Sequence, residues 1–424
     1  MKSIFWSTCL VSTLALVGCG GKTSTEPAEA TNETPSAPMT YAQDAEFLKK
    51  HTDAIVLGED EGPSLVVVPA YQGRVMTSSH DAKSGDGNGW INHELIGSGK
   101  TNPHINAFGG EDRFWMGPEG GQFAIYFKPG TKFVFDDWQT PAFIDTDKYK
   151  VTKQSKTEVV CEHTASIENY SGAKFDLHIT RGVTLLGADA AEKHLGIRPG
   201  DGVKMVGYET SNTVKNTGQE AWTKDKGLLS IWILGMFKHS PTTTVVLPYK
   251  TGPEAEMGPI VNDTYFGKVP EDRLKVADGL IYFKGDGQYR SKIGVNPQRS
   301  KPIIGSYDPG RNLLTIVQYT LPAGATDYVN SMWEIQDKPF GGDVVNSYND
   351  GPVDGGKPLG PFYELETSSP ALALKPGQAY THHSRTFHFR GDRAALQVLA
   401  TKLLGANLDQ VAQAFAPKSD QNSG

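Results

Sequence analysis

Residues Phe340–Gly377 read FGGDVVNSYNDGPVDGGKPLGPFYELETSSPALALKPG, and the class of the fold turns on this run. A short apolar pair, Val344-Val345, leads into Asn346, Tyr348, Asn349 and Asp350. A Gly/Pro-rich excursion follows, and the chain returns as Phe362-Tyr363-Glu364-Leu365-Glu366-Thr367. That return alternates with period two, so as a strand it puts Tyr363, Leu365 and Thr367 on one face. Phe362, Glu364 and Glu366 take the other, with the two carboxylates about 7 Å apart at strand rise. Two readings of that acidic face are open. It is a solvated strand face, or it is buried, in which case both acids must be partnered or put to use.

Outward from this run the pattern stays β. Ser64–Pro69 and Gly73–Thr77 form a strand pair broken at Ala70–Gln72. Further strands are expected at Phe123–Phe127, Lys132–Phe135, Glu158–His163, Phe175–Thr180, Lys204–Val214, Leu228–Leu234, Lys292–Gly294, Leu313–Tyr319, Val329–Ile335 and Ala379–Phe389, among others. Short segments bounded by Gly, Pro, Asn or Asp, with 47 glycines and 26 prolines in 424 residues, predict an all-β sandwich. Helical spacing is confined to Tyr41–His51 and Asp392–Phe415, the latter interrupted at Gly405 and recapped at Asn407. With no repeat and no linker after Tyr41, residues 41–424 read as one β domain carrying a short N-terminal and a C-terminal helix.

The N-terminus has its own logic. Met1-Lys2-Ser3 is a short basic lead, and Ile4–Val17 is apolar but short for a membrane span. It ends Leu16-Val17-Gly18-Cys19, which resembles a bacterial lipobox. That resemblance implies a signal peptide over 1–18, removed before Cys19, and a lipid on the Cys19 thiol. Residues 19–40, rich in Thr, Ser, Pro, Glu and Ala, then form a flexible tether. The expected location is the bacterial cell envelope, on the periplasmic side or in the outer membrane, and Gly20 after the cysteine leans towards the outer one. Cys161 would be left alone in the mature chain, so an internal disulfide is excluded. Its alternating apolar context marks it as a core residue rather than a nucleophile. A net charge of −7 leaves no basic stripe for a nucleic-acid partner.

A second rich stretch, Pro103–Gly121, carries His104, Asn106, Gly109-Gly110, Arg113 and Trp115. The glycine pair allows a tight turn, and Arg113 and Trp115 share one face of the strand after it. A cation beside a flat aromatic suits a sugar, whose ring faces stack while its edges hydrogen-bond. A turn with a core Trp and a structural ion pair is the competing reading. In a third stretch, Ser230–His239, Trp232 and His239 stand as candidates for a cleft wall, and Trp232 as a core residue fits equally. Asn346 and Tyr348 add donors and acceptors for hydroxyls, or else cap a turn. No zinc spacing, phosphate loop or G-x-S-x-G elbow occurs, and no metal or cofactor is expected.

The segment LETSSPALALKPGQAYTHHSRTFHF resembles the closing strands of the galactose mutarotase (aldose epimerase) family, and Pro103–Phe127 resembles its glycine-pair region. The resemblance implies a galactose mutarotase-like β-supersandwich, a carbohydrate ligand and a catalytic base at Glu366. The family's histidine before the glycine pair is replaced here by Phe108, and its second histidine has no counterpart in register near Leu229–Trp232. Epimerisation needs an acid at the ring oxygen as well as a base, and Glu364 and His104 are the candidates for it. Arg113, Trp115, Asn106, Trp232, His239, Asn346 and Tyr348 are the expected substrate contacts. Two functions follow: an epimerase-like enzyme, or a carbohydrate-binding lipoprotein without catalysis.

Overall fold

The structure is a computed structural model that describes residues 39–352 and 358–416. Cys19, the leader and nearly all of the expected tether lie outside the described residues. The chain enters through the helix Tyr41–His51. Thr40 starts it with a reciprocal capping box: its hydroxyl accepts from Gln43 N, and the Gln43 side chain accepts from Thr40 N at 2.9 Å.

Three antiparallel sheets make up the body. A small one pairs Ile55–Gly58, Ser64–Val68 and Arg74–Ser79. The largest has ten strands, with Ala379–Arg390 and Lys204–Asn216 side by side at its centre. The third has five strands, ordered Ser291–Val295, Val345–Asn349, Phe362–Ser368, Ser230–Lys238 and Arg113–Gly117. Its apolar face, including Phe237, Ile293, Tyr363 and Leu365, packs with Val245, Phe283, Ile304 and Val317 of the ten-stranded sheet. Two sheets burying one alternating face each is the sandwich expected from the period-two pattern. On the far side of the large sheet, Leu396, Leu399, Leu404 and Val411 of the C-terminal helices cover Leu314, Ile316, Phe387 and Phe389. Those helices are Arg393–Leu404 and Leu408–Gln413, divided by left-handed Gly405 and capped by Asn407.

Three expected strands are absent. Phe123–Phe127, Lys132–Phe135 and Val329–Ile335 run as turns and irregular chain. Their apolar pattern is satisfied by aromatic packing instead of a ladder: Phe123 stacks on Phe340, and Phe127 meets Phe133 and Trp333 edge-on. Cys161 is buried in the core, where burial pushes its thiol up to about 11, the state of an inert apolar residue. Among the described residues no helix is long and apolar enough to cross a membrane.

Candidate functional site

The strand Phe362–Ser368 runs through the middle of the five-stranded sheet, so both of its edges are paired. Its apolar face fills the sandwich, and the acidic face looks away from it. Strand register arranges that second face in three rows. Lys292, Tyr348, Glu364 and Met236 form one. Gly294, Asn346, Glu366, Leu234 and Arg113 form the next. Ser368, Trp232 and Trp115 form the third. The acidic face is therefore the buried one of the two readings: Glu366 is 0% and Glu364 5% exposed.

Each acid has a cation. Lys292 Nζ donates to Glu366 Oε2 at 2.8 Å, and Trp232 Nε1 donates to the same oxygen at 3.0 Å. The other oxygen, Oε1, is buried with no hydrogen bond among the described residues. Lys292 is held in place by aromatic faces, 4.7 Å from the Trp232 ring centre and 5.5 Å from that of Tyr265. Glu364 Oε1 accepts from Arg113 Nη2 at 2.7 Å. Burial pushes the Glu364 carboxyl up to about 8; Arg113 opposes this and Glu366 adds to it. Arg113 lies 4.4 Å from the ring centre of Trp115, which meets Trp232 edge-on at 5.7 Å.

Further groups close the site. Tyr265 donates to Asp343 Oδ2 at 2.6 Å and accepts from Asn346 Nδ2 at 3.2 Å. Burial raises both Tyr265 and Asp343. Asp343 can reach in because Gly294 has no side chain: a Cβ there would stand 2.1 Å from Asp343 Oδ2. Glu119, raised by burial, is drawn down by Lys292 and pushed up by Glu366, which places it in the same charge cluster. Tyr348 donates to Asp350 Oδ1 at 2.6 Å and stands between Phe362 and Phe266.

The sheet thus brings together Glu364, Glu366, Arg113, Trp115, Trp232, Asn346 and Tyr348. It leaves out three candidates. His104 Nδ1 donates to the Trp138 carbonyl at 2.6 Å, and its ring packs on Phe135. Asn106 is buried against Asp145, to which its Nδ2 donates at 2.7 Å, a structural role. His239 lies beyond the end of its strand against Gly287, and burial lowers it in spite of nearby Asp286. The corrections share one cause: these residues lie in loops or past strand ends, where no register carries them onto the polar face.

Lys292, Tyr265, Asp343 and Glu119 were not legible as site residues. Lys292 stood in an expected strand, and a lysine alternating with apolar neighbours there was the one available signal. Among the described residues no group of three or more His, Cys, Asp or Glu is arranged to hold a metal.

Solved structures with similar chain paths share little sequence. The Slr1438 protein of Synechocystis sp. PCC 6803 is 13% identical, with a TM-score of 0.49 over 80% of this chain and 96% of that one. A galactose mutarotase-like protein from Lactobacillus casei ATCC 334 is 10% identical, at 0.44 over 80% and 100%. A galactose mutarotase related enzyme from Lactobacillus acidophilus is 10% identical, at 0.44 over 80% and 97%. Such distant likenesses leave the chemistry to be read from this chain's own residues. Among curated proteins none matches the sequence. One family profile matches residues 39–415, nearly the whole described chain, and the protein therefore belongs to that family, DUF6786, a family of unknown function.

Proposed function

We propose that the polar face of the five-stranded sheet binds a carbohydrate and opens its ring as an aldose epimerase does, with Glu366 as base and Glu364 as acid. The observation that carries this reading is the state of Glu366. One oxygen is tied down by Lys292 and Trp232, and the other is buried without a hydrogen-bond partner among the described residues. A proton acceptor is thereby oriented while its reacting atom stays free.

Glu364 supplies the complement. With its carboxyl pushed up to about 8 it holds a proton at neutral pH, as a general acid must. The anomeric hydroxyl and the ring oxygen are bonded to the same carbon, so an acid and a base side by side on one strand can serve both. Glu366 takes the anomeric proton, Glu364 delivers one to the ring oxygen, and the carbon–oxygen bond of the ring breaks. Closure on the other face of the aldehyde reverses both transfers. Glycoside hydrolysis fits less well, because its two carboxyls must flank opposite sides of the scissile bond.

Proton NMR of freshly dissolved glucose and galactose tests the proposal. Accelerated anomeric equilibration by the native chain, abolished in Glu366→Gln, is the expected result. Broadening of sugar resonances without acceleration would favour a binding protein of a glycan-utilisation system. The deep burial of the acids lends that alternative some support.

We further propose that Cys19 is lipidated and tethers the domain to the cell envelope. Incorporation of an alkyne fatty acid that disappears in Cys19→Ser is the expected outcome. Equal labelling of the variant would refute the anchor.

A further inference from the structure

The carbohydrate reading leaves several buried donors unexplained. Arg113 is 2% exposed and spends Nη2 on Glu364, while its Nε and Nη1 make no hydrogen bond among the described residues. The indole Nε1 of Trp115, whose ring stacks under that guanidinium, has no partner either. A buried polar group left unsatisfied costs about 1–3 kcal/mol, more when charged, so such a cluster calls for a physical reason. On the same face Glu366 Oε1 is a lone acceptor. Missing acceptors beside Arg113 and a missing donor beside Glu366 describe the two ends of one ligand.

Register sets their spacing. Arg113 and Glu366 flank Leu234 in a single row, two strands apart, which puts their Cα atoms about 10 Å from each other. The Arg113 side chain leans across the intervening strand to reach Glu364, two residues along from Glu366, so its free donors and the free Glu366 oxygen lie within reach of one small ligand. Charge points the same way. Lys292 is matched by Glu366, whereas Arg113 faces a Glu364 whose burial favours the neutral form. Arg113 is then the buried cation with free donors on this face, with Asp145 the further carboxyl in its field, and an anionic group suits those donors better than a neutral one. A doubly charged phosphate suits them less, beside three carboxyl groups, Glu119, Glu364 and Glu366.

Resting on the carbohydrate reading, we infer that the ligand is an acidic sugar of the uronate class, with its carboxylate on Arg113 and the Trp115 indole N–H. Its hydroxyl edge then faces Glu366. A planar carboxylate taking guanidinium and indole donors is a pairing of high geometric selectivity.

Titration calorimetry of the full chain with D-galacturonate, D-glucuronate, their neutral parents and glucose 6-phosphate tests this. A uronate is expected to bind at least about tenfold more tightly than its neutral parent, the return for one charge-assisted pair. Arg113→Gln should erase that preference. Because removing the cation leaves Glu364 without a partner, Trp115→Phe is the companion variant: it keeps the ring and deletes only the N–H. It should lower uronate affinity about fivefold and neutral-sugar affinity by a smaller factor, so that the uronate preference shrinks. Neutral sugars binding as tightly as uronates would overturn the inference and leave the carbohydrate reading standing. Glucose 6-phosphate outbinding both uronates would overturn it too, as would an undiminished uronate preference in folded Trp115→Phe. If no sugar binds, the carbohydrate reading falls and the inference falls with it.

Discussion

Replacing Glu364 by Gln turns the contest between burial and Arg113 into a measurable pH dependence. The amide has the shape of the protonated acid and cannot ionise, so the variant reports the folded protein without this titration. Glu364 is raised from 4.5 to about 8. Where the folded carboxyl has the higher pKa, the native state keeps a proton that the unfolded chain releases. Its contribution to stability is full below about 4.5 and is lost as pH rises through about 8. Within that window the native chain should lose about 1.4 kcal/mol per pH unit relative to Glu364→Gln, some 5 kcal/mol in all as an upper bound. Urea denaturation followed by tryptophan fluorescence at pH 5, 6, 7 and 8 measures the difference directly, and other titrating groups cancel between the two proteins. A difference that stays flat across the window would sink the reasoning. That flat profile is also what Arg113 outweighing desolvation would give, since a carboxyl held below 4.5 does not titrate in this window, and Glu364 would then lose its claim to the acid's role. In the anomeric assay the same assignment predicts a rate that falls about tenfold per unit above pH 8.

Two more perturbations probe the site's supports. Lys292→Met and Glu366→Gln should each cost about 3–5 kcal/mol by stranding a buried charge or donor, and the double variant should recover about 2 kcal/mol of the sum. Strict additivity in denaturant titrations would show that the pair does not hold Glu366 in place. Gly109→Ala should destabilise by about 2–4 kcal/mol, since φ is +94° and the new Cβ would lie 2.1 Å from the Trp90 carbonyl. An unchanged melting temperature would refute that account of the glycine pair.

The division between sequence and tertiary structure follows from how far each interaction reaches along the chain. Alternation in Phe362–Thr367 was enough to set Glu364 and Glu366 on one face, because side-chain period in a strand is a local property. The cap at Asn407 and the break at Gly405 were legible for the same reason. Arg113 and Trp115 were placed on a shared face by their spacing alone, and they do stack. The aromatic runs Phe123–Phe127 and Val329–Ile335 misled, since apolar pattern reports burial and does not distinguish a ladder from an irregular packed segment.

Register between strands far apart in sequence was not local, and it decided the site. Lys292 reaches Glu366 across 74 residues, and Arg113 reaches Glu364 across 251. Whether an acidic face is solvated or sealed depends on what covers it, here Lys292, Trp232 and Tyr265 from three separate parts of the chain. The sequence by itself determined which side chains point the same way. Only the tertiary structure decided which charges meet, which oxygen of Glu366 is left free, and that His104, Asn106 and His239 stand apart.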